Sequence, residues 1–237
     1  MRLLVSVRNA GEARAAVQGG AEIIDAKEPL AGPIGQVAPA TLAAIHATLP
    51  PSLRLSAALG DATAVDDVAR AVGRVSVPVS YVKLGFRGVM EVPRIAALIG
   101  VAVRRAAELP GRPAVIAVAY ADHAQVGAPP PALFPRLVAD AGADGLLVDT
   151  YAKDGTTPFD HQSVEDLAAL ARALAPAELT FALGGSLGLA DLRAASEAGA
   201  DILGVRGAVC SGGRSGRIEE GLVRQLADAV RSERART

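Results

Sequence analysis

Tryptophan is absent from this chain, cysteine occurs once, and lysine occurs three times against 21 arginines. Each scarcity excludes something. One cysteine, Cys210, cannot form an internal disulfide framework or a cysteine-based zinc site. With aromatics at 3%, the core must be built from Ala, Val, Leu and Ile, which the 51% hydrophobic content supplies. A net charge of −1 without a basic patch argues against nucleic-acid binding. No stretch reaches the ~18 unbroken apolar residues of a membrane span. The start, Met1-Arg2-Leu3-Leu4-Val5-Ser6-Val7, is too short for a signal peptide and reads as a strand. The expectation is a soluble cytoplasmic protein with neither nucleic acid nor membrane as partner.

The shortage of lysine is the most informative of these. Lys27, Lys83 and Lys153 each follow a run that reads as the end of a β-strand. Arginine stays charged, whereas lysine can lose its proton, attack a carbonyl and form an imine. The three lysines therefore mark candidate places for amine chemistry; the alternative is chance survival in an arginine-biased composition.

What is present is alternation. Short apolar runs are predicted as strands at Leu3–Val7, Glu22–Asp25, Leu53–Ala58, Val79–Leu84, Ala114–Ala119, Gly145–Asp149, Glu178–Leu183 and Asp201–Val205. They are continuously apolar, as parallel strands buried on both faces should be. Helical patterns lie between them, among them Glu12–Gln18, Asp66–Val72, Arg94–Glu108, Val164–Leu174, Leu189–Glu197 and Ile218–Arg231. Three helices end alike, at Gly19-Gly20-Ala21-Glu22, Ala141-Gly142-Ala143-Asp144 and Ala198-Gly199-Ala200-Asp201. Each offers a glycine for a left-handed C-cap before a tight strand entry. No linker divides the 237 residues, and the length is close to the ~250 of an eight-fold barrel. The pattern predicts one α/β domain over residues 1–237, a single (β/α)8 TIM barrel. A doubly wound sheet would carry a Gly-rich turn after its first strand, and Arg8-Asn9-Ala10-Gly11-Glu12 does not fit. The Arg-rich tail from Arg231 to Thr237 reads as the fraying end of the last helix.

In such a barrel the active site forms at the C-terminal ends of the strands. Asp25 and Lys27 lie two apart and project to the same side. Lys83 follows Tyr81 within an apolar run, so it points into the mouth or is buried at heavy cost. Inward among other lysines, it should hold its proton loosely. Asp25 and Asp149 can balance the charge and carry protons. The alternative is that Asp25–Lys27 and Asp149–Lys153 are plain ion pairs fixing the loops. Gly184-Gly185-Ser186 precedes a helix pattern near Leu189, and Gly204 to Gly207 with Gly212 and Gly213 follows the last strand. Loops 7 and 8 of this fold often bind phosphate through backbone N–H groups at helix N-termini, and Arg206 would add charge. The alternative is that these glycines only turn the chain.

Other motifs lead nowhere. Gly184-Gly185-Ser186-Leu187-Gly188 matches a nucleophile elbow, but that chemistry needs a later histidine. His46, His123 and His161 all precede Ser186 and lack metal-ligand spacing. His123, after strand 5, is a minor site candidate, and Cys210 reads as a small buried residue.

The runs Asp25-Ala26-Lys27-Glu28-Pro29, Tyr81-Val82-Lys83-Leu84-Gly85, Tyr120-Ala121-Asp122, Asp149-Thr150-Tyr151-Ala152-Lys153-Asp154-Gly155 and Gly204-Val205-Arg206-Gly207-Ala208-Val209-Cys210 resemble those of the (5-formylfuran-3-yl)methyl phosphate synthase family. The resemblance spans nearly the whole chain, in order. It implies a barrel that joins two glyceraldehyde 3-phosphate molecules into a furan aldehyde phosphate, releasing phosphate and water, in methanofuran biosynthesis. It further implies Lys27 as the Schiff-base lysine, Lys83 as proton acceptor, and Asp25, Asp149 and Lys153 as helpers in proton transfer. It implies no metal and no organic cofactor. Glu28, Tyr151 and His123 flank the matched residues. A class I aldolase on sugar phosphates would share the imine without ring closure. A non-catalytic phosphate-binding barrel would share only the anion site. Barrels of this class commonly self-associate, so a homo-oligomer is expected.

Overall fold

The computed structural model of the protein describes residues 1–236. Eight parallel strands close into a barrel in chain order: β1 (Arg2–Val7), β2 (Ile23–Ala26), β3 (Arg54–Asp61), β4 (Tyr81–Gly85), β5 (Ala114–Tyr120), β6 (Gly145–Asp149), β7 (Thr180–Leu183) and β8 (Ile202–Val205). β8 pairs back onto β1, with Leu4 opposite Gly204. The predicted (β/α)8 barrel is the observed fold. Strand boundaries moved by a few residues for local reasons. β3 runs on to Asp61 through an irregularity in its register with β4. β7 starts at Thr180 because Glu178 takes a left-handed conformation, φ 54°.

The helix endings behave as read. Gly20, Gly142 and Gly199 have φ of 93°, 76° and 75°. The next residue in each case donates its N–H back five residues, from Ala21 to Ala16, Ala143 to Val138 and Ala200 to Ala195. That is a Schellman closure, used three times to reverse the chain into a strand.

Barrel closure splits the apolar residues into two cores. Along each strand, alternate residues face out to the helices, among them Leu3, Val5 and Val7 on β1 and Leu146 and Val148 on β6. The other parity faces the barrel axis and includes Leu4, Ile23, Tyr81, Ile116, Leu147 and Ile202. Burying each such Leu or Ile contributes about 1.5–3 kcal/mol. The inward parity turns polar toward the C-terminal ends, with Ser6, Asp25, Lys27, Lys83 and Asp149 all buried.

After β8 the chain makes one 3₁₀ turn, Gly207–Val209, and enters no α-helix at once. It forms a small hairpin, β9 (Cys210–Ser211) paired with β10 (Arg217–Ile218), before the last helix, Glu220–Arg234. The Arg-rich tail is thus helical as far as Arg234, and Thr237 lies outside the described residues. Among the described residues no helix is long and apolar enough to cross a membrane.

Candidate active site

A cavity of about 360 Å³ opens at the C-terminal ends of the strands and runs down the barrel axis to Leu4, Tyr81 and Ile202. Its size lies within the usual range for small-molecule sites. All three lysines line it, together with Asp149. The small inward residues Ser6, Ser56, Ala182 and Gly204 leave the axis open where larger side chains would plug it.

Lys27 follows β2 in extended backbone, its N–H donating to the Val7 carbonyl at 3.0 Å. The loop behind it is closed tightly, since Glu28 donates its N–H to Gly35 at 2.8 Å. A Cβ on Gly35 would lie 2.3 Å from the Glu28 oxygen, so only glycine fits. The Glu28 carboxylate caps the following 3₁₀ turn by accepting from the Leu30 N–H.

The structure pairs the charges differently from one of the two sequence readings. Asp25 does not pair with Lys27. It sits 2.7 Å from the Lys83 amine across the barrel and accepts a bond from the Ser6 hydroxyl at 2.8 Å. Residues two apart share a side, but their heads need not meet; β4 brings Lys83 over Asp25 instead. Asp149 does pair with Lys153, at 2.7 Å, and Lys153 also donates to the Thr150 carbonyl. Lys27 therefore lies between two lysine–aspartate pairs and has no ion pair of its own among the described residues.

Electrostatics follow from this. Burial, together with the positive charges of Lys83 and Lys153, pushes the Lys27 amine from its usual 10.5 down to about 7, against the pull of Asp149 and Asp25. Burial works to raise both carboxyl groups. It is outweighed at Asp25 by Lys83, Lys27 and the Ser6 hydroxyl, and at Asp149 by Lys153 and Lys27, so both stay below the usual carboxylate range. The site thus holds one readily neutral amine beside two ionised carboxylates, the combination imine chemistry requires.

Two supports escaped sequence reasoning. Asp122 is buried and accepts the N–H groups of Tyr151 and Ala152, each at 2.8 Å, clamping the loop that carries Lys153. Its signal was an aspartate just past a strand end. Asp61 accepts the Tyr120 hydroxyl at 2.7 Å, and burial raises its carboxyl above the usual range. Tyr120 in turn meets Tyr151 edge-on, with Arg87 over the Tyr151 ring. None of the three histidines lines the cavity. His123 opens the short helix His123–Val126 instead. Cys210 is buried on β9, and burial pushes its thiol up.

The glycine loops line the cavity at Gly184, Gly185, Ser186, Gly204 and Gly207. The expected helix N-termini are weaker than read. After β7 comes a 3₁₀ turn, Leu189–Asp191, whose Asp191 accepts the Gly188 N–H, and then a helix of six residues, Leu192–Glu197. After β8 the hairpin intervenes. Gly185 (φ 98°) has a packing reason: a Cβ there would lie 2.7 Å from the Thr150 nitrogen. Arg206 is also placed otherwise than expected. Its guanidinium is buried against the Glu12 carboxylate, at 2.8 and 3.2 Å, and donates to the carbonyls of Ser6, Arg214 and Gly216. A buried carboxylate needs such a partner, so Arg206 is spent as a structural post. Arg206 and Arg214 both line the cavity at this loop, and of the two only Arg214, between the hairpin strands, has no ion pair among the described residues. Among the described residues no group of three or more His, Cys, Asp and Glu side chains is arranged to hold a metal.

Residues 3–227 match the family model described as 4-HFC-P synthase. The chain is 38% identical to the (5-formylfuran-3-yl)methyl phosphate synthase of Methanocaldococcus jannaschii, covering 95% of this chain and 98% of that one. Identity to the protein of the same name from Methanopyrus kandleri is also 38%, over 97% and 98% of the two chains. For that of Methanothermobacter thermautotrophicus it is 36%, over 98% and 100%. Among solved structures, a phosphoribosyl anthranilate isomerase from Thermus thermophilus superposes with a TM-score of 0.67 at 16% identity, covering 98% of this chain and 99% of that one. A 3-hexulose-6-phosphate synthase does so at 0.61 and 17%, over the same shares. At such identities these two speak for the barrel alone.

Proposed function

The chain belongs to the 4-HFC-P synthase family, and from that premise we propose that it condenses two glyceraldehyde 3-phosphate molecules into (5-formylfuran-3-yl)methyl phosphate through a Schiff base on Lys27. The observation that carries this reading is the Lys27 amine, buried, without an ion pair among the described residues, and titrating near 7. A lysine kept for structure would be paired and charged. One kept for imine formation must be neutral at the moment of attack.

One triose phosphate isomerises to its ketone, which needs an acid and a base at adjacent carbons. The Lys27 nitrogen attacks the ketone carbon, and water leaves as the imine forms. The protonated imine makes the ketone carbon electrophilic. The second triose phosphate gives up the proton beside its aldehyde and its phosphate leaves, which forms an enol. Lys83 is the acceptor, having passed its own proton to the Asp25 carboxylate 2.7 Å away. The terminal carbon of the enol attacks the imine carbon, whose electron pair moves onto the Lys27 nitrogen, and the Asp149–Lys153 side supplies and removes protons. The free hydroxyl of the first triose closes the ring on the remaining ketone, and loss of water and of the Lys27 amine completes the furan. By reaction type this is a carbon–oxygen lyase acting on phosphates. Triose phosphates are too highly charged to cross membranes unaided, which puts the reading in the cytoplasm.

The test is incubation with glyceraldehyde 3-phosphate alone. The expected result is a product absorbing in the near ultraviolet, release of inorganic phosphate, and, with borohydride, a mass adduct on the peptide containing Lys27. An adduct with no ultraviolet product would make the protein a simple aldolase. No adduct on any lysine would remove the imine mechanism.

A further inference from the structure

Two arginines stand at the β8 end of the cavity, and they are in opposite states. Arg206 has a carboxylate partner and its guanidinium N–H groups are engaged. Arg214 is half-buried on the cavity wall and, among the described residues, forms no ion pair. Its guanidinium makes one hydrogen bond, to the Gly32 carbonyl at 2.9 Å. A guanidinium has five N–H donors, so most of its capacity is uncommitted.

Its surroundings bear on the chemistry of its ligand. Gly207 packs beside its backbone, with a Cβ position 3.8 Å from the Arg214 backbone nitrogen, and Gly184, Gly185 and Ser186 line the same cavity as its side chain. Arg214 also feels the charge of Asp149, the partner of Lys153, and lines the same cavity as the three lysines. Burial disfavours its charged form without an opposing carboxylate at contact distance, a cost an incoming anion would offset. The buried post holds it in place: Arg206 donates to the Arg214 carbonyl at 2.8 Å, and both Arg206 and Arg8 donate to Gly216. The hairpin β9–β10 is thus braced to present one free fork to the cavity. A planar fork of N–H donors matches phosphate oxygens in pairs.

We propose that Arg214 is the side chain that recognises the substrate phosphate at this mouth and sets the preference for phosphorylated over unphosphorylated trioses. The inference rests on the reading that the substrate is a triose phosphate. Through Gly32 the same guanidinium touches the loop that follows Lys27, so a bound phosphate and the imine carbon would be held by one connected structure.

The test compares borohydride trapping of dihydroxyacetone phosphate and of dihydroxyacetone by the wild type, Arg214→Gln and Arg214→Lys. The expected result is that Arg214→Gln lowers the preference for the phosphate ester about 10- to 100-fold, the range for losing charge-assisted hydrogen bonds. Arg214→Lys should recover part of it, and inorganic phosphate should inhibit Arg214→Gln correspondingly less. An unchanged preference, or an equal loss with both trioses, would overturn the inference and make Arg214 only a brace for the Lys27 loop. A wild type that traps neither triose would overturn the triose-phosphate reading together with it.

Discussion

Two lysine–aspartate pairs flank Lys27, and they differ in what holds them. Asp25–Lys83 spans two strands, with side chains 0% and 7% exposed. Asp149–Lys153 joins the last residue of β6 to the loop that follows it, four residues apart, at 5% and 15%. Both measure 2.7 Å. Equal distance hides unequal physics. The first pair is fixed by barrel hydrogen bonds and cannot separate without leaving a buried carboxylate alone. In the second only the aspartate sits on a strand, and the loop that carries the lysine is held by the Asp122 clamp. A proton carrier that must stay in one place belongs on the strands. One that must follow a changing substrate belongs on a loop. Lys27, between them, answers to both charges.

Substitutions at the three lysines would break or sharpen this contrast. The largest effect is expected at Lys27. Replacing it with Arg keeps a cation and removes the neutral amine, so turnover and borohydride trapping should fall beyond the roughly 10⁴-fold upper end for a single acid or base. In the wild type, kcat/KM should rise as pH rises through about 7, because the amine becomes neutral there. A stability readout has the opposite face. The depressed amine is a cost to folding, fully present below about pH 7 and gone near the ordinary 10.5. Lys27→Met should therefore raise the melting temperature at pH 6 and lose that gain toward pH 10.

Next comes Lys83→Met. Removing it strands Asp25 in the barrel, at an expected cost of about 3–5 kcal/mol in urea unfolding. Turnover should drop about 10²- to 10⁴-fold. The acid limb of the pH profile should also move up, because a cation that depresses Lys27 is gone. Adding Asp25→Asn should restore stability but not turnover. A single variant as stable as wild type would mean the pair is not the buried strut described.

The smallest effect is expected for Lys153→Met. The loop pair is more solvated, and Thr150 still donates its N–H to Asp149. The stability loss should be about 1.5–3 kcal/mol, the range for one charge-assisted hydrogen bond. Turnover should fall about 10²-fold. If Lys153→Met cost more in stability than Lys83→Met, the contrast between strand and loop would be wrong.

Much of the fold could be read directly. Parallel strands buried on both faces need continuous apolar runs, and Gly-Ala closures recur wherever a helix turns into a strand. Those signals are local. The hairpin at Cys210–Ser211 and Arg217–Ile218 went unread, because two-residue strands leave no period to detect, and the last helix starts at Glu220 rather than Ile218. The left-handed Glu178 was likewise invisible, since nothing in its type requires that conformation.

By itself the sequence determined the barrel, the cavity end, and the three lysines on its wall, since strand spacing and side-chain chemistry are properties of neighbours in the chain. Tertiary structure alone decided which aspartate serves which lysine. It also decided that Arg206 is spent on Glu12 while Arg214 and Lys27 have no ion pair among the described residues. Those facts depend on distances between strands that are far apart in sequence. Only closing β8 onto β1, and packing the loops over the mouth, sets them.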